Sequence, residues 1–117
     1  GRVRFEIRVD LTRAVQCNCS MCTRRGAVAH RTMPEDFTLL SGEGDLNLYQ
    51  FGTLTAKHYF CRHCVIHPFA RPRTAPDIYS VNLRCLDRYH EIADGLEVAL
   101  FDGQNWEQAA RNMPVKR

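Results

Sequence analysis

No stretch of this sequence approaches the ~18 to 20 consecutive apolar residues that a membrane-spanning helix needs. The N-terminus also lacks the charged, apolar and small-residue regions of a signal peptide. A soluble, cytoplasmic protein that does not engage a membrane is therefore expected. Lysine is nearly missing: Lys57 and Lys116 are the only two, so arginine carries almost all of the positive charge. With 16 basic against 13 acidic residues the formal charge is +3, well short of the concentrated basic stripe of a nucleic-acid binder, and nucleic acid is not an expected partner. Arginine instead suits forked contacts with carboxylate or phosphate, so a small anionic ligand fits this composition. Long amphipathic helical patterns and internal repeats are also lacking, apart from two cysteine-bearing turns. The chain does not begin with Met, and a few residues are expected to precede Gly1.

What is present is a 117-residue chain with 44% hydrophobic and 25% charged residues, suited to one globular domain spanning 1–117. GRVRFEIRVD alternates Val3, Phe5, Ile7 and Val9 against Arg2, Arg4, Glu6, Arg8 and Asp10, the period of a half-buried strand. Further strands are predicted at 27–31, 46–51, on both sides of 61–64, at 78–86 and at 96–101, while 37–40 reads as a strand or a single helical turn. Pro34 to Asp36, the SGEGD loop at 41–45 and Asp102-Gly103 read as turns, and ARPRTAPD (70–77) as irregular chain, since prolines cannot sit inside a helix. Trp106 to Arg111 is a candidate for a last helical turn, with Trp106 as a core lid. The fold class that follows is mainly β, built from short antiparallel strands and two cysteine knuckles.

Six cysteines without a secretory signal point to metal or redox chemistry in a reducing compartment before a disulfide framework. Cys61-x-x-Cys64 has the spacing with which one tight turn aims two sulfurs at zinc. A redox pair would be expected at a helix N-terminus, whereas this pair is predicted between strands. CNCSMC places Cys17, Cys19 and Cys22 within six positions, enough for three corners of one tetrahedron. Three protein ligands with an open fourth position are the pattern of a catalytic zinc. The alternative, one site shared by all five cysteines, exceeds a tetrahedral shell and requires one to stand aside. Cys85 reads as a small buried apolar residue.

CNCSMCTRRGAV, GEGDLNLYQFG, HYFCRHC, RPRTAPD with VNLRCLD, and FDGQNWE, in that order and through nearly the whole chain, resemble the glutathione-dependent formaldehyde-activating enzyme family, which includes centromere protein V. The resemblance implies a small zinc-binding β-tent. It implies a catalytic zinc on Cys17, Cys19 and Cys22, and a structural zinc on Cys61 and Cys64 completed by an N-terminal Cys-x-Cys. That last motif is absent here and would lie just before residue 1, so a second zinc is expected only when those ligands are supplied; replacement by His58, His63 or His67 is the lesser alternative.

The implied activity is that of a zinc-dependent carbon-sulfur lyase acting on glutathione or another thiol adduct, such as S-(hydroxymethyl)glutathione formed from formaldehyde. A zinc with three thiolates carries a net charge near minus one and favours the ionised form of an incoming thiol. Arg24, Arg25, Arg71 and Arg73 are candidates for holding the carboxylates of glutathione, and His30 and His58 for moving a proton. Two other classes stay open at this point: a non-catalytic zinc-binding interaction module, and a zinc-ribbon nucleic-acid binder.

Overall fold

Alternation at the N-terminus becomes strand β1 (Arg4–Ile7), as expected from the sequence. In the computed structural model, which describes residues 1–52 and 54–111, the chain forms two compact units. The first comprises 1–9 and 31–81, the second 10–30 and the stretch from 82 onward. The chain passes between them after Val9, within β3 (Ala29–Thr32) and at the end of β8 (Tyr79–Asn82).

In the first unit β1 pairs antiparallel with β4 (Phe37–Ser41), setting Phe5 opposite Leu39 and Ile7 opposite Phe37. A four-strand antiparallel run follows: β5 (Leu46–Tyr49), β6 (Lys57–Cys61), β7 (Phe69–Arg71) and β8. An aromatic cluster packs this unit. Phe37 stacks on Phe5 at 5.7 Å and on Tyr79 at 4.0 Å, and meets Phe69 edge-on at 5.0 Å. Such pairs add about 0.5–1.5 kcal/mol each beyond the area they bury. Ile78 and Val81 are fully buried.

The second unit centres on β2 (Arg13–Cys17), a strand that the sequence pattern did not reveal. It pairs antiparallel with β3, Val15 opposite Ala29, and parallel with β9 (Glu97–Phe101), from Arg13 opposite Glu97 to Cys17 opposite Phe101. Helix α1 (Ser20–Arg25) follows the cysteine-rich stretch, α2 (Tyr89–Ile92) precedes β9, and α3 (Trp106–Arg111) closes the described chain with Trp106 half-buried. Ala14, Val28, Leu83 and Ala110 are buried in this unit.

The strand expected over 78–86 stops at Asn82. There the Asn82 side chain accepts the Arg84 N–H at 3.2 Å, and the chain tightens into a 3-10 turn, Leu83–Cys85. Cys85 is consequently half-buried in a turn rather than buried in a strand.

The turn at Cys61–Cys64 lies between β6 and β7, matching its predicted setting. Val65 donates its N–H to the Cys61 carbonyl at 2.7 Å and adopts φ +61°. A β-branched residue in the left-handed region is strained by about 1–2 kcal/mol. Val65 is 70% exposed, so its side chain recovers little of that through burial. Val65→Gly is expected to stabilise the fold by about 0.5–1 kcal/mol, after glycine's greater unfolded-state freedom is subtracted. Thermal denaturation should show this as a rise in Tm of about 2–4 °C.

Candidate metal centre

Cys17 is the last residue of β2, and Cys19 is the N-cap of α1. The cap is made by sulfur: Cys19 Sγ accepts the Cys22 N–H at 3.3 Å. Gly26 ends the helix at φ +64°, donating its N–H to the Cys22 carbonyl at 3.0 Å. Strand end, cap and first helical turn thus converge, and the knuckle inferred for these cysteines is a strand-to-helix junction.

The sulfurs of Cys17, Cys19 and Cys22 all lie within 4.8 Å of one another, and each residue is half-buried. Tetrahedral zinc with bonds of about 2.3 Å requires sulfurs about 3.8 Å apart, so three soft donors at this spacing fit such an ion with small adjustments. Among the described residues this is the one group of three or more metal-type side chains close enough to share an ion.

Close packing and hydrogen bonds define the environment of Cys17. Its sulfur accepts the Cys19 N–H at 3.5 Å and the backbone N–H of Gly103, from the turn that follows β9. A Cβ on Gly103 would run into Cys17 Sγ and come within 2.8 Å of Cys19 Cβ, so only glycine fits there. A hydrogen bond from the Cys22 thiol, aided by these amides, lowers the Cys17 pKa to about 6 against the opposing effect of burial. Cys22 is driven the other way by the same hydrogen bond, by burial and by the neighbouring negative charge, and is the last of the two to ionise.

Arg25 is half-buried in the last turn of α1. Burial lowers its pKa, while all three cysteines act electrostatically to raise it, so its positive charge lies within electrostatic reach of the thiols. Arg24 turns back on its helix and donates to the Ser20 carbonyl at 3.1 Å. His30, on β3, is held below the ordinary histidine range by burial and is neutral at pH 7.

The other predicted site residues lie in the first unit. Cys61 is buried and Cys64 exposed. Backbone N–H groups of Cys64 and His63 lower the Cys61 pKa. His63 bonds Asp45 at 2.7 Å, His67 bonds the Tyr59 carbonyl at 2.8 Å, and His58 stacks on Phe51 at 5.6 Å. The Arg71 guanidinium lies 4.3 Å over the Tyr79 ring and donates to the Tyr79 hydroxyl at 2.6 Å. Arg73 lies in the adjoining loop. Gly103 was not singled out as a site residue by sequence reasoning; Asp102-Gly103 was read as a turn and FDGQNWE as part of the family resemblance.

The sequence profile described as glutathione-dependent formaldehyde-activating enzyme matches residues 1–101. A crystal structure of a Rhodobacter sphaeroides protein is similar at 39% identity and a TM-score of 0.76, over 86% of this chain and 93% of that one. A fold that is mainly β, with a three-cysteine cluster able to hold a metal ion, defines the class. The chain belongs to the glutathione-dependent formaldehyde-activating enzyme family. Membership supports a function in glutathione and formaldehyde chemistry, with a small-molecule thiol as partner. Among the described residues, no helix is long and apolar enough to cross a membrane.

Two outcomes are expected from this geometry. Alkylation of Cys17 in metal-free protein should accelerate as pH rises through about 6, since the thiolate is the nucleophile, while Cys22 stays slow. Peptide mapping after iodoacetamide pulses across pH 5–8 reads this directly. Gly103→Ala should weaken metal binding roughly 10- to 100-fold, as disturbance of the groups around metal ligands commonly does; titration of the metal-free protein with zinc measures the change.

Proposed function

We propose that the protein is a zinc-dependent carbon-sulfur lyase that interconverts glutathione plus formaldehyde with S-(hydroxymethyl)glutathione, or performs the same chemistry on a related thiol adduct. The observation that carries this reading is the group of three sulfurs within 4.8 Å on a half-buried junction, in a chain of this family. Three thiolate ligands leave a tetrahedral ion one position short, the arrangement of a reactive rather than a closed structural site. A zinc ion held by Cys17, Cys19 and Cys22 would supply an open coordination position that favours ionisation of an incoming thiol.

The chain's own groups prepare that position. Cys17 ionises readily because amides of Cys19 and Gly103 and the Cys22 thiol donate to it. Arg25 offsets negative charge accumulating at the three sulfurs, and its guanidinium suits a carboxylate of glutathione. Arg24 stands beside it on the same helix turn. Arg71 and Arg73 are proposed as further carboxylate contacts, and His30, kept neutral by burial, and His58 as proton acceptors. In the forward direction glutathione sulfur forms a bond to the carbonyl carbon, the carbon-oxygen π pair moves to oxygen, and the thiol proton is transferred to that oxygen. Cys61 and Cys64 are proposed as half of a separate structural zinc site within a single β-tent domain acting in the cytoplasm.

The non-catalytic alternative, a zinc-binding interaction module, predicts metal uptake without turnover. The two readings are separated by exchange spectroscopy of glutathione and formaldehyde with metal-loaded protein. Saturable acceleration is expected, together with one zinc per Cys17–Cys19–Cys22 cluster. Cys22→Ser should reduce the exchange to within about twofold of the uncatalysed rate, because loss of a metal ligand removes the site. Wild-type protein that binds zinc yet leaves the exchange at its uncatalysed rate would remove this substrate assignment.

A further inference from the structure

We propose that Asn18 and Asp102 are positioning residues for the metal-binding sulfur of Cys17, acting through the backbone amide of Gly103. The inference rests on the reading of Cys17, Cys19 and Cys22 as metal ligands.

Asn18 separates two of the three cysteines, and both its backbone and its side chain are committed to one short segment of distant chain. Its N–H donates to the Phe101 carbonyl at 3.1 Å, and its own carbonyl accepts Gln104 Nε2 at 3.3 Å. Its Oδ1 accepts the Gln104 backbone N–H at 3.0 Å, while its Nδ2 donates to Asp102 Oδ1 at 2.9 Å. Asp102 uses its second oxygen to accept Asn105 Nδ2, also at 2.9 Å. These bonds lower the pKa of the Asp102 carboxyl, so it remains an anionic acceptor at neutral pH.

The segment held in this way is the one whose Gly103 packs against Cys17 Sγ and Cys19 too closely to admit a Cβ, which brings its backbone amide to the Cys17 sulfur. An amide aimed at a thiolate withdraws charge from the sulfur. The sulfur becomes less basic, harder to protonate, and a weaker electron donor to the ion it holds. Asn18 and Asp102 bring no donor atom to the metal; they determine whether the Gly103 amide is aimed. This is the relation between outer groups and ligands that tunes metal sites generally.

Exchanging the two partners tests the latch without changing side-chain size. Asn18→Asp sets two carboxylates against each other, and Asp102→Asn leaves one acceptor for two donors, Asn18 Nδ2 and Asn105 Nδ2. The double variant Asn18→Asp with Asp102→Asn restores one donor and one acceptor with roles reversed. It also keeps acceptors for the Gln104 N–H and Asn105 Nδ2. Full-length protein loaded with Co(II) reports the sulfur's donor strength through its thiolate-to-cobalt absorption band, and transfer to a chromophoric chelator reports release.

Each single variant is expected to move the band to lower energy and, because the sulfur is then easier to protonate off the metal, to speed release by about 10-fold or more. The double variant should recover the wild-type band and a release rate within about twofold. Single variants with the wild-type band and release rate but a lower Tm would show that the latch only supports the fold, overturning the proposal. Failure of the double variant to restore the band would overturn it as well. Wild-type protein that takes up no Co(II) at the cluster would overturn the metal reading itself, before any variant is compared.

Discussion

The parallel register between β2 and β9 is the constraint on which the candidate centre depends. Because Cys17 lies opposite Phe101, the chain leaving β2 and the chain leaving β9 emerge side by side. The Asn18 N–H extends the pairing by one more bond, to the Phe101 carbonyl. Residues 17–19 and 101–105 then have no choice of neighbour. A shift of one residue would turn Cys17 to the opposite face and carry Gly103 away from it. The cysteine spacing brings three sulfurs near one another locally, while the strand register decides what surrounds them.

Clustering three thiols has an electrostatic cost that the surroundings partly offset. Each ionisation makes the next harder, and the opposite displacements of Cys17 and Cys22 express this within one pair. Amides of Cys19 and Gly103 answer the charge on Cys17, and Arg25 supplies a full positive charge from the far end of a six-residue helix. A divalent ion matches the remaining excess of negative charge better than a further monovalent side chain would. Local sequence serves this arrangement economically, since Cys19 caps α1 with the same sulfur that faces the cluster.

Much of the first unit was legible because its signals are local. Alternation marks β1, and two apolar arms around Cys61 and Cys64 mark β6 and β7. The short cysteine spacing likewise revealed the cluster before any geometry was known. By contrast, β2 escaped notice because its one fully buried side chain is the small Ala14, leaving no strong alternating pattern. The end of β8 was misplaced because apolar Val81 and Leu83 continue the strand-like run, while the Asn82 side chain turns the backbone between them. The contribution of Gly103 was illegible for a different reason: it consists of a contact with residues far earlier in the chain, and periodicity carries no record of such contacts.

That separation in sequence also imposes an order in time. Asn18 and Asp102 are 84 residues apart, so during synthesis the three cysteines leave the ribosome long before the turn that surrounds them exists. A metal ion arriving early meets only the local sulfurs and their own helix cap. Completion of the centre waits for the chain that follows β9, which makes the finished environment of Cys17 a later event than the appearance of its cysteines.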